Sequence, residues 1–113
     1  MDKFTIVIPV YNEAKNLKIL VPKIYQELKN RKFEIIIVDD NSTDTTSKIL
    51  KKFKKNNFRH IIRKEKRDLS KSCILGFQRS KYNNLIVMDG DLQHKPSDIK
   101  KFLLVSRKSN PDI

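Results

Sequence analysis

The sequence predicts an open α/β fold, a mainly parallel sheet with helices on both of its faces. Three observations predict it. Continuous apolar runs rich in β-branched residues alternate along the chain with segments whose apolar residues recur at three- and four-residue steps. Such alternation of strand and helix favours parallel strands joined by right-handed crossovers. Finally, the polar residues best suited to chemistry follow directly behind three of the apolar runs, where open α/β sheets bind ligands.

The first run, Lys3 to Val10, is apolar at nearly every position, as expected of a strand covered on both faces. Leu17, Leu20, Val21, Ile24 and Leu28 then form a helical stripe, in which Pro22 should kink the helix or mark a restart. Phe33 to Asp40 reads as a second buried strand. Behind it, "NSTDTT" offers N-caps for a short helix carrying Ile49, Leu50 and Phe53. Arg59 to Arg63 is a weaker third strand, and Leu69, Cys73, Ile74 and Phe77 give a third helical stripe. "NLIVMD" is the fourth strand, and Pro96, Ser97 and Asp98 open a last helix through Ile99, Phe102 and Leu103.

Length and composition bound the function. With 113 residues the chain has room for one compact domain, residues 1–113. Its longest aliphatic run, Ile35 to Val38, is far short of the roughly 20 residues that cross a bilayer, and the N-terminus lacks a signal-peptide apolar core. The expectation is a cytoplasmic chain, at most peripheral to the cytoplasmic membrane face. A single cysteine, Cys73, allows no internal disulfide. The net charge of +12 suits a polyanionic partner. Ten of the Lys and Arg residues fall between Lys48 and Arg67 against one Glu. A basic module binding nucleic acid or an anionic surface without catalysis is therefore the alternative function. Nucleic acid is disfavoured, because the stretch carries no helix-turn-helix, zinc or RNP pattern.

The strand-end motifs are "PVYNE" (Pro9 to Glu13), "DDNSTD" (Asp39 to Asp44) and "DGDLQH" (Asp89 to His94). Asp89 and Asp91 flank Gly90, so both carboxylates can project to one side and share a cation. Hard oxygen ligands favour Mg²⁺ or Mn²⁺, with Gln93 or His94 a further contact. An acidic turn is the bland alternative. Adjacent Asp39 and Asp40 behind an apolar run need solvent, a hydrogen bond or a ligand, and one of them could cap the next turn. Tyr11 offers a flat ring for a base, while Asn12 and Glu13 could bond ribose or merely start a helix. With only Gly76 and Gly90, neither a Walker A loop nor a dinucleotide Gly-rich turn can be built. A phospho-receiver reading fails on order, since a complete strand and helix precede the first acidic pair.

Taken together, "FTIVIPVYNEAKNL", "EIIIVDDNSTDTT" and "LIVMDGDLQHKPSDI" resemble, in order and spacing, the N-terminal half of the family-two glycosyltransferases of GT-A, Rossmann-like fold. Within these the chain is most similar to the dolichyl-phosphate mannose synthases and related polyprenyl-phosphate glycosyltransferases. The resemblance implies transfer of a sugar from a nucleotide-sugar donor, of GDP-mannose or UDP-glucose type, to a polyprenyl phosphate at a membrane surface. It places Pro9, Tyr11, Glu13, Val38, Asp39 and Asp40 around the nucleotide. It makes Asp89 and Asp91 the catalytic metal and diphosphate motif, passes Gly90 close to the nucleotide sugar and adds Gln93 to the metal site.

Two departures stand out. Asp68 replaces a Gly frequent before "LSKSCILGF" in relatives, and the chain is about half the family's usual size. It is expected to be a donor-binding half, a truncated or split product, whose partner would be a missing C-terminal half or a second copy.

Overall fold

A computed structural model describes residues 3–88 and, as backbone, 104–106. The elements run β1 (Lys3–Val10), α1 (Ala14–Glu27), β2 (Lys32–Asp39), α2 (Thr46–Leu50), β3 (Phe58–Ile62), α3 (Leu69–Arg79), β4 (Asn84–Val87) and β5 (Leu104–Ser106). The five strands form one sheet in the order β3-β2-β1-β4-β5. β1 pairs in parallel with both β2 and β4, and β2 in parallel with β3. β5 joins β4 antiparallel, a strand that the sequence reading lacked. The helix expected from Pro96 lies outside the described residues.

β1 and β2 are buried from their second residue to their last because they occupy the middle of the sheet with helices above and below. One core layer joins Phe4, Ile6, Ile8, Ile35 and Ile37 to Leu17, Leu20, Val21 and Ile24 of α1 and to Ile49 and Leu50 of α2. The other joins Val7, Ile36, Val38 and Leu85 to Phe77 of α3. Alternate side chains of each central strand therefore supply the two layers, so continuous apolar runs were required.

Four details differ from the sequence expectations. α1 runs through Pro22 without a restart, with that ring on its exposed side. α2 stops at Leu50, and Phe53 packs from the following turn, its ring 5.1 Å from that of Phe58. The third strand begins one residue earlier than expected, at Phe58. In α3, Leu69 and Ile74 face solvent, and the buried residues are Ser72, Gly76 and Phe77. Gly76 explains the change: a Cβ there would stand 2.4 Å from Val7 Cγ1, so its absence lets the helix lie close on β1 and β2.

Candidate functional site

The strand order dictates where a site can form. β1 to β2 to β3 proceeds one way across the sheet, and the chain then returns through α3 to place β4 on the other side of β1. The direction of progression reverses between β1 and β4, and the crevice at such a reversal, at the carboxyl ends of the strands, is the usual ligand site. Val10, Asp39 and Val87 are the last residues of β1, β2 and β4, and all three belong to that edge.

Pro9 and Val38 are partners in register at this edge and both are buried. Val38 packs in the layer beneath α3. Beyond them the two loops are tied together. Asn12 adopts a left-handed backbone, φ 54°, as does Asn41, φ 63°. The Asn12 Oδ1 accepts the N–H groups of Thr43 at 2.8 Å and Asp44 at 3.2 Å, and the Asn12 N–H donates to Ser42 Oγ at 2.8 Å. The Glu13 N–H donates to Thr46 Oγ1, and its carboxylate accepts from Asn16 Nδ2 at 2.7 Å. Asn12 thus holds the second motif against the first.

Asp44 closes this network by accepting from the Thr46 hydroxyl and N–H. Desolvation acts to raise its pKa. The hydrogen bonds from the Thr46 side chain, from the backbone of Thr46 and Ala14, and from its own N–H outweigh it and hold the carboxyl below its usual value. A hollow of about 420 Å³ opens beside these groups, between Asn12–Asn16 and Asp44–Thr45.

The acidic pair is almost fully buried, Asp39 at 1% and Asp40 at 4% exposure. Asp39 Oδ1 accepts the Ser42 N–H at 3.0 Å, capping the turn behind β2. Asp40 meets Arg63: its Oδ1 accepts from Arg63 Nη1 at 2.7 Å and its Oδ2 from the Asp68 N–H at 2.8 Å. Arg63 Nη1 also donates to the Lys66 carbonyl at 2.6 Å, and Asp68 in turn caps α3 through the Lys71 N–H. One buried carboxylate therefore fixes both ends of the segment from Arg63 to Asp68. That segment carries Arg67 over the ring of Tyr11, 4.1 Å from guanidinium carbon to centroid. Neither Arg63 nor Arg67 was singled out from the sequence, because their partners lie 23 and 56 positions away.

Asp89, Gly90, Asp91 and Gln93 lie outside the described residues. Among the described residues, no group of three or more His, Cys, Asp or Glu could hold a metal ion. The hard oxygen set of Asp89, Asp91 and Gln93, following in the chain directly behind Met88 and the buried strand β4, suits Mg²⁺ or Mn²⁺ in chemistry.

The family model described as "Glycosyl transferase family 2" matches residues 5–113. A dolichol-phosphate mannosyltransferase of Pyrococcus furiosus is 38% identical over 112 residues, covering 98% of this chain and 32% of that protein. The dolichol-phosphate mannosyltransferase of Saccharomyces cerevisiae is 33% identical over 104 residues, covering 88% of this chain and 39% of that protein. Among solved structures, the mannosyltransferase PcManGT from Pyrobaculum calidifontis, in complex with GDP-Man and Mn²⁺, superposes with a TM-score of 0.70 at 22% identity. It covers 78% of this chain and 27% of that one, a likeness of fold. The chain thus spans about a third of the length of these relatives.

Proposed function

Because the chain belongs to glycosyl transferase family 2, we propose that it forms the donor-binding part of a metal-dependent sugar transferase acting on a nucleotide-activated sugar. The observation that carries this reading is the convergence of the ends of β1, β2 and β4 at the reversal of strand order, with "DGDLQH" following β4. In this reading Tyr11 stacks on the base, and Pro9, Val38 and Asp39 form the floor beneath it. Glu13 reaches the ribose side. Asp40 acts through Arg63 and Asp68, positioning Arg67 at the mouth of the site.

Asp89, Asp91 and Gln93 would hold Mg²⁺ or Mn²⁺. When bound, the cation offsets charge growing on the departing nucleoside diphosphate. Support for a divalent metal and a GDP-linked donor comes from the fold neighbour that contains both. The names of the relatives support a polyprenyl phosphate acceptor. Such a phosphate is already ionised, so attack needs no strong general base from this chain. The acceptor-binding residues are proposed to lie in the remaining two thirds of the relatives' length, which this chain does not span.

Calorimetry with GDP and UDP, each with and without Mn²⁺, tests the proposal. Binding is expected only with metal, and Asp91→Ala should abolish this metal-dependent binding while leaving the fold intact. Metal-independent binding, or none by a folded sample, would overturn it.

A further inference from the structure

We infer that the rim formed by Lys64, Lys66, Leu69 and Lys71 is a docking surface for an anionic lipid bilayer, which seats the carboxyl edge of the sheet on the membrane. This inference rests on the polyprenyl-phosphate reading above, because a lipid-borne acceptor must meet the donor at a membrane surface.

Leu69 is 64% exposed, and Ile74 on the same helix 40%, so large apolar side chains stand in water where the sequence pattern would bury them. Leu69 is the first residue of α3 and is bracketed by exposed Lys64, Lys66 and Lys71. Among the described residues, none of these lysines forms an ion pair, and the one acid between Lys64 and Arg67, Glu65, lies 3.5 Å from Arg63. The segment is presented firmly: Asp40 holds it at Arg63 and at the Asp68 N–H, and the Lys66 carbonyl is bonded to Arg63.

An apolar side chain rimmed by cations, held on a fixed support, complements a bilayer interface. The leucine can enter the acyl boundary while the ammonium groups meet anionic headgroups. Leucine offers no ring for base stacking, which argues against a single-stranded nucleic acid as the occupant. The rim also adjoins the site, since Arg67 within the same segment reaches Tyr11.

Co-sedimentation with phosphatidylcholine vesicles, with and without phosphatidylglycerol, is the test. The chain should bind only the anionic vesicles. Lys64→Ser/Lys66→Ser/Lys71→Ser should weaken binding by roughly 100-fold, about fivefold per cation, and Leu69→Ser by several-fold. The equally charged control Lys18→Ser/Lys23→Ser/Lys29→Ser, on and just beyond α1, should lose far less.

Equal losses in the control, vesicle binding indifferent to Leu69, or use of the same lysines for an oligonucleotide in preference to vesicles would each overturn the inference. Calorimetry with GDP and Mn²⁺ on the same variants separates the two claims. Intact nucleotide binding without vesicle binding overturns the docking surface alone. Vesicle binding without nucleotide binding overturns the donor site.

Discussion

The two ends of β2 each bury a carboxylate against an arginine supplied by β3 or the residue just behind it. At the amino end Glu34 accepts from Arg59 Nη2 at 2.8 Å, from the Thr5 hydroxyl at 2.8 Å and from the Lys81 N–H. At the carboxyl end Asp40 accepts from Arg63 and from the Asp68 N–H. Each end even sets a cation over a tyrosine, Lys81 on Tyr82 and Arg67 on Tyr11. Each also has a hollow, about 490 Å³ beside Glu34 and about 420 Å³ beside Asn12.

The difference is in the arginine. The Arg59 side chain is 48% exposed and that of Arg63 7%. The first pair staples the end of α3 and the turn ahead of β4 to the sheet while one partner stays in water. The second is sealed, and its rigidity passes along the segment to Arg67 at the site. Similar parts thus make a staple at one edge and a rigid support for the proposed site at the other.

Removing each carboxylate is the strongest way to break this comparison. Asp40→Ala strands a buried guanidinium and should cost about 3–5 kcal/mol in denaturant unfolding. Glu34→Ala leaves Arg59 free to hydrate and should cost about 1–3 kcal/mol for the unpaired groups that remain. Equal losses would mean that burial of the arginine does not distinguish the two ends. A smaller effect sharpens the comparison: Arg67→Ala and Lys81→Ala should each change stability by less than about 1 kcal/mol. Only Arg67→Ala should weaken nucleoside diphosphate binding in calorimetry. Parallel losses in both variants would remove Arg67 from the site.

The strands were the most legible part of the fold. β1 is bounded by Lys3 and Val10 as read, because a central parallel strand buries both faces and so needs an apolar residue at nearly every position. α3 was placed correctly but its stripe was only half right: Cys73 and Phe77 pack on the sheet, whereas Leu69 and Ile74 face solvent. The rest of its contact is made by small residues, Ser72 and Gly76, which an apolar stripe cannot register.

β5 escaped because three residues of an antiparallel edge carry too little pattern. At the site, strand-end position marked out Tyr11, Glu13, Asp39 and Asp40 from sequence. What joins them was invisible there, since Asn12 with Thr43 and Asp40 with Arg63 are pairings across 31 and 23 residues that only the sheet brings together. Asp89, Asp91 and Gln93 rest on sequence position and family membership.

Paramagnetic broadening of backbone amides by Mn²⁺ in the presence of GDP tests the central claim most directly, because it reads both edges of the sheet in one spectrum. Broadening should concentrate at Val10 to Glu13, at Asp39 to Thr43 and at Val87 and Met88, and should spare Glu34, Lys81 and Tyr82. Broadening centred on the amino edge, or none at the carboxyl edge, would contradict a metal and nucleotide site where the strand order reverses.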